Sequence, residues 1–466
     1  MIRNIMKLNV IRRFRFIFCV TLWFIILFPV SAQQDMETVR RDTILFGTET
    51  EIAALIQTLR TENATYLDDE LVTLVEGTRN QRILSGVFTF FGDREKNGLE
   101  DRAIRAIVER DDEANETVLS AIEYLGRVKS AEAIPVITGL LDTEERRFLN
   151  TGFRALGRAS SGDSTLSDET ADFLIDFYEN RNPGDDNRRE VIVAIGATGS
   201  QKGVPLLKEI ASNTDERIPL RMAALGALSA IGDESGLDVI LSCISTSDPN
   251  VRSAAVAALG PFSGEAVDRA ILDAFRDSFY RTRIAAAQAS RDRRFVEAVP
   301  YLRFRAERDE VPNVRDESVR ALGAIANEEA ITVLESLFLE RRNSDRIRIL
   351  AAEMLMKSES DRNLTRLIIE LDDAKTKNQT ALYNGLLKVL GESVVTGDKT
   401  DMENITRRFL LNGGIIERLY GLDMAANNSL AMLSEEIRPL ASDRNESLAR
   451  RARRTAETLG IELTTE

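Results

Sequence analysis

Residues 248–261 read Asp-Pro-Asn-Val-Arg-Ser-Ala-Ala-Val-Ala-Ala-Leu-Gly-Pro. Asp248 has the short acceptor side chain that caps a helix, and Pro249 suits the first helical turn, where a missing N–H costs nothing. Val251, Ala254, Ala255, Ala258 and Leu259 follow at i, i+3, i+4, i+7 and i+8, which is one face of an α-helix. Gly260 and Pro261 break it. Val267, Ala270, Ile271, Ala274 and Phe275 then repeat the spacing, so the segment predicts two short antiparallel helices joined by a tight turn.

The arginine of this segment recurs along the chain. Arg188, Arg221, Arg252, Arg283, Arg315 and Arg348 stand 33, 31, 31, 32 and 33 residues apart. Three residues after them come Val191, Ala224, Ala255, Ala286, Ser318 and Ala351; seven after come Ile195, Leu228, Leu259, Ser290, Leu322 and Leu355. A small residue at the first of these slots lets neighbouring helices approach, and a large one would overpack the stack. Self-similarity at this period marks stacked units, each burying its apolar face only against its neighbours. Proline supplies an independent register: Pro135, Pro205 and Pro300 each fall ten residues after the leucine-slot residue, Leu125, Ile195 or Ser290. Proline is tolerated only in the first turn of a helix, so this slot opens the second helix.

The pattern predicts an all-α, right-handed superhelical α-solenoid of antiparallel helix pairs over residues 33–466. It implies about a dozen units, clearest over 186–358, with degenerate capping units at both ends. A second clear unit runs from Pro312 to Glu340, with Val314, Ala321, Leu322 and Ile325 on its first helix and Ala330, Ile331, Leu334, Leu337 and Phe338 on its second. Weaker copies follow Phe46-Gly47, Phe91-Gly92, Leu125-Gly126, Leu156-Gly157 and Leu390-Gly391, and the chain ends near Leu459-Gly460. The polar stretches Ser160–Thr170 and Glu392–Asp401 are expected to be loops.

The string 248–260, together with Leu220-Arg221-Met222-Ala223-Ala224-Leu225 and with Val314-Arg315 through Ala321-Leu322-Gly323-Ala324-Ile325, resembles the HEAT-like repeat of the type found in phycobilin lyases. The resemblance covers most of the chain after residue 32 and implies a HEAT/armadillo-like fold. It also implies a curved stack that offers an extended surface to proteins. It is nearly silent on function, because such solenoids serve unrelated tasks.

Residues 1–32 have the three parts of a secretory signal peptide. Arg3, Lys7, Arg12, Arg13 and Arg15 give a basic start, Phe16 to Val30 is an apolar run, and Val30-Ser31-Ala32 offers a cleavage site before Gln33. The apolar run is short for a bilayer span of roughly 20 residues. The expectation is therefore export to the periplasm or cell envelope without stable membrane insertion; the alternative is a membrane anchor formed by an uncleaved N-terminal helix. Loss of the five basic residues takes the net charge from −14 to −19, a balance that disfavours nucleic acid as a partner. Cys243 would be the single remaining thiol, so no intrachain disulfide is expected.

The chain contains no histidine, which removes Ser–His and Cys–His nucleophile systems and histidine-built metal sites. One cysteine cannot make a zinc site, and no phosphate-binding glycine loop follows a candidate strand. No cofactor is expected. Carboxylates alone could still serve a glycosidase-like or divalent-metal site, and Asp111, Asp112 and Glu113, with Asp185 and Asp186, are the densest candidates; such runs are usually solvated loop or helix N-terminal charges. The recurrent arginines either form a ladder for an acidic partner or bond the carbonyl ends and acids of adjacent repeats. Their travelling with the packing slots favours the second, and Asp248, four residues before Arg252, is placed to pair with it. Arg450, Arg451, Arg453 and Arg454 form a basic cap; Tyr280, Tyr301 and Tyr420 are either exposed anchors of a binding surface or, the favoured reading, core or groove-lining packing residues. The reading that results is a non-enzymatic protein-binding scaffold or adaptor with its partner along the concave face of the second helices. The alternative is a lyase-like solenoid holding a chromophore or small ligand in its groove.

Overall fold

The structure, a computed structural model, describes residues 28–181 and 184–463. Most of the expected signal peptide therefore lies outside the described residues; its cleavage point, Ala32–Gln33, falls within the helix Phe28–Phe46. Among the described residues there are twenty-six α-helices, six short 3-10 turns and no strand. A leading helix, twelve helix pairs and a closing helix, Glu446–Leu459, account for all of the α-helices.

The chain forms two compact units, Met1–Leu207 and Lys208–Glu466, divided inside the helix Val204–Ser212. In the first unit the first helices of successive pairs, Gln81–Asp93, Asn115–Arg127, Arg146–Ser160 and Asp185–Thr198, pack one on the next. In the second unit the same row runs from Ile218–Ile231 through Pro249–Ala257, Tyr280–Asp292, Pro312–Ile325, Asp345–Ser358 and Thr380–Glu392 to Ile415–Asn427. Second helices pack chiefly on the first helix of the following pair, Val299–Arg308 on Pro312–Ile325 and Glu328–Leu339 on Asp345–Ser358. Each unit is thus a row of helix pairs, an α-solenoid.

Local chemistry explains the boundaries. Asp248 caps Pro249–Ala257, its carboxylate accepting from the N–H groups of Asn250 and Val251 at 2.8 and 3.0 Å. Pro135, Pro205 and Pro300 each occupy the second residue of a second helix. A 3-10 turn precedes each of these helices, at Ala131–Ala133, Gln201–Gly203 and Val296–Ala298. The small slot and the leucine slot face inward in every clear unit, Ala255, Ala286, Ser318, Leu259, Ser290 and Leu322 all being buried. The two serines satisfy their hydroxyls on carbonyls one turn back, Ser290 on Ala286 and Ser318 on Val314, both at 2.8 Å. Full burial of an aliphatic side chain such as Leu322 contributes about 1.5–3 kcal/mol.

The glycine that follows the leucine slot has a packing role. A Cβ on Gly126 would lie 2.6 Å from the Ala155 Cα, and one on Gly157 would lie 2.6 Å from the Ala194 carbonyl oxygen. Backbone touches backbone there, and only glycine leaves the room.

Three expectations are corrected. Ser160–Thr170 is not a loop: Arg146–Ser160 includes its first residue, and Asp163 caps a new helix, Ser164–Asn180. Among the polar residues there, Asp163 is the cap, and Ser167 and Thr170 turn inward; Ser167 is buried and donates to the Ser160 carbonyl at 2.9 Å. Phe46 is 82% exposed, because it ends the helix Phe28–Phe46 while Ile44 takes the buried position. Asp248 does not pair with Arg252 through a salt bridge, since its carboxylate is committed to the cap and Arg252 reaches Asp277 instead.

Candidate interaction surface

Each ladder arginine is the fourth residue of a first helix. A cation in the first turn opposes the helix dipole, so it needs acceptors beyond its own helix. Arg252 gives both oxygens of Asp277 a hydrogen bond, from Nε at 2.8 Å and Nη2 at 3.1 Å, while Nη1 reaches the carbonyls of Thr246 and Ser247. Arg283 does the same with Asp309, at 2.7 and 2.9 Å, and its Nη1 donates to the carbonyls of Asp277 and Ser278. Arg315 Nη1 then donates to the Asp309 carbonyl at 2.7 Å. Each aspartate at the end of a pair is held twice: by its carboxylate from within the pair and by its carbonyl from the next.

The other ladder residues follow with different acceptors. Arg221 Nε donates to the Ala211 carbonyl at 3.0 Å, and that carbonyl also takes the thiol of buried Cys243 at 3.5 Å. Arg348 bonds the Phe338 carbonyl and Glu370. Arg188 bonds the Tyr178 hydroxyl and lies over its ring. Arg221, Arg283 and Arg348 are buried. The ladder is an internal fastener of the repeats and presents no row of cations to a partner.

Electrostatics agree with the geometry. Burial pushes the Asp309 carboxyl up, but the hydrogen bonds from Arg283 and the Val311 N–H, with the charges of Arg283 and Arg305, outweigh it and hold the group below the usual range. For Asp277, burial is likewise overcome by the hydrogen bonds from Arg252 and the Phe279 N–H. A pair missed in the sequence lies in the first unit, where buried Arg102 bonds the Val75 carbonyl and half-buried Glu113 at 3.2 and 2.9 Å. Its signal was an arginine among the apolar positions Leu99, Ala103, Ala106 and Ile107.

That pairing changes the reading of the carboxylate run. Asp111 and Asp112 are exposed, whereas Glu113 is half-buried and also receives the amide of Gln81. Among the described residues no group of three or more His, Cys, Asp or Glu side chains is gathered as a metal site. Arg451 pairs with Asp423, and Arg453 donates to the Ala441 carbonyl at 3.0 Å, while Arg450 and Arg454 are exposed on the closing helix. No described helix is long and apolar enough to cross a membrane.

The candidate tyrosines are half-buried rather than exposed: Tyr280 packs on Phe279, Tyr301 on Phe275, and Tyr420 fills the space beside Gly391. Several large apolar side chains of the second helices are exposed instead, among them Val108, Phe304, Leu339, Ile369 and Leu411. Phe304 is 51% and Ile369 61% exposed. Each lies twenty-one residues after a ladder arginine, Arg283 or Arg348, so the two share one register position on second helices two pairs apart. Half-buried Ser336 holds that position on the helix between them.

Rows of helix pairs with inward arginine–aspartate fasteners define an α-solenoid of HEAT-type repeats. A family description of spirochaete HEAT repeat proteins matches residues 44–455, and the chain belongs to that family. No curated protein matches the sequence. Among solved structures the chain is similar in fold to Kap121p, at 12% identity and a TM-score of 0.43 over 90% of this chain and 53% of that one. It is similar to importin beta at 14% identity and a TM-score of 0.43, over 91% of this chain and 66% of that one. Human deoxyhypusine hydroxylase matches at 18% identity and a TM-score of 0.26, over 64% of this chain and all of that one. The chain thus spans about half the length of Kap121p.

Proposed function

We propose that this chain is a non-enzymatic scaffold or adaptor that binds a protein partner along its second helices, the face expected to be concave, in the cell envelope after export. The observation that supports it is the shared register of Phe304 and Ile369, two large apolar side chains left in water on second helices of one unit. Isolated exposed apolar residues need no explanation, but a repeated position in a solenoid gives contacts that add along the row. The chain has no histidine, and buried Arg283 and Asp309 are spent on one another, which accords with a role in surface contact.

The test is a photo-crosslinking amino acid placed at Phe304, at Ile369 and at Glu353, a control on the first helix Asp345–Ser358. The expected outcome in intact cells is the same protein adduct from the first two positions and none from the control. Adducts from neither position, or equally from all three, would overturn the reading.

A further inference from the structure

Between the end of the second helix Glu265–Ala274 and the start of the next, Val299–Arg308, lies an open pocket of about 420 Å³. Its lining is Phe275, Arg276, Pro300, Tyr301, Phe304 and Arg305. The volume lies within the range of ligand clefts, about 300–1,000 Å³. Buried Phe275 and half-buried Tyr301 pack with ring centroids 5.7 Å apart and planes tilted by 30°, and Phe304 stands at the rim.

Cations surround the aromatic walls. Arg276 lies 5.5 Å from the Tyr301 ring centre, and Arg305 and Arg308 lie 5.3 and 5.9 Å from that of Phe304. Their own counter-charges are incomplete. Asp309 is committed to Arg283 through both oxygens, which leaves Arg305 one contact of 3.3 Å to a shared oxygen. Arg276 has only exposed Asp273 at 3.6 Å, and Arg308 makes no salt bridge among the described residues. Burial and the neighbouring charge of Arg283 hold the Arg305 guanidinium below its usual range against the pull of Asp309, as expected of a cation short of anions. In a chain of net charge −14, this local excess of positive charge around an aromatic pocket selects by charge complementarity.

We propose that this pocket docks an extended acidic segment of the partner protein, with one aromatic side chain seated between Tyr301 and Phe304 and flanking carboxylates on Arg276, Arg305 and Arg308. The proposal rests on the reading of the second helices as the binding face and specifies the partner's chemistry at one point of it. Aromatic side chains meet aromatic walls edge-on or offset, and guanidinium groups offer paired donors to carboxylates.

The test uses the full chain and three fluorescein-labelled nine-residue peptides: Asp and Glu around a central Phe, the same with central Ala, and Ser and Gln around Phe. Fluorescence anisotropy is expected to show binding of the first, weakened about tenfold or more in each of the others. Phe304→Ala and Arg308→Glu are each expected to weaken the first peptide about tenfold with unchanged circular dichroism, since both side chains are exposed. Equal binding of the central-Ala peptide would reduce the site to a charge surface, and equal binding of the neutral peptide would reduce it to an apolar one. Either result overturns the proposal, as does no binding or indifference to both variants. If the peptides fail while the Ile369 adduct persists, only the pocket assignment falls; if both fail, the binding-face reading falls with it.

Discussion

Asp309 joins two repeats through two different groups: its carboxylate is gripped by Arg283 at 2.7 and 2.9 Å, and its carbonyl accepts from Arg315 at 2.7 Å. The Arg283 and Asp309 side chains are 6% and 0% exposed. Removing one partner of such a pair strands the other charge, at a cost of about 3–5 kcal/mol. Asp309→Ala is therefore expected to lower unfolding free energy by about that amount in urea titration. Adding Arg283→Met is expected to cost far less than Arg283→Met alone, because the charges leave together. Full recovery is not expected, since the carbonyls of Asp277 and Ser278 then lose their donor. Strictly additive losses in the two single variants would refute the coupling.

The same pair makes stability acid-sensitive. Asp277 and Asp309 titrate below the ordinary range in the folded state, and an aspartate in the unfolded chain titrates near about 3.9. Above that value both states are ionised and the contribution is complete. As pH falls through it, the unfolded chain takes protons first, and the contribution shrinks until the folded pKa is passed. The urea midpoint is expected to hold between about pH 7 and pH 5 and to fall below about pH 4, with Asp309→Asn falling less over the lower interval. An equal fall in wild type and Asp309→Asn would show that the pair has no part in it.

Export gives a separate expectation. A peptidase that cuts after Ala32 leaves Gln33 as the first residue and a net charge of −19. Mass spectrometry of the protein from its native cells is expected to find Gln33, free or cyclised, at the N-terminus, and Ala32→Lys is expected to block processing. A mature chain that retains Arg3 to Arg15 would support the uncleaved anchor.

The helix pairs were legible because their constraints are local: Pro249 and Pro300 can occupy only a first turn, and Ala255, Leu259 and Leu322 mark a face by spacing alone. The arginine's interior role followed from its travelling with those slots. Its partner did not, because Asp277 lies twenty-five residues from Arg252 while Asp248 lies within a turn. Sequence spacing favours the near acid; only the structure shows that backbone N–H groups had already claimed it. Ser160–Thr170 misled for the related reason that Asp163 and Ser167 are composed like a loop yet act as a cap and an inward hydroxyl. Tyr301 stood out in the sequence, but its pocket with Phe275 and Phe304 did not, because it is built from two repeats whose sequences at that point do not match.

Glycine separates two effects that normally oppose. In a helix interior Gly→Ala favours folding by about 0.8–1.0 kcal/mol through backbone entropy. Gly226, in Ile218–Ile231, has nothing within 4 Å of the place a Cβ would take, so Gly226→Ala is expected to stabilise by about that amount. At Gly157 the same methyl would lie 2.6 Å from the Ala194 carbonyl oxygen and 3.1 Å from its Cα. Backbone on both sides cannot yield without parting the two helices, and overpacking of this kind costs about 1–3 kcal/mol. The cost exceeds the gain, so Gly157→Ala is expected to destabilise where Gly226→Ala stabilises. Thermal and urea unfolding of the two variants side by side tests this, and a stabilised Gly157→Ala would mean that adjoining first helices are not in backbone contact there.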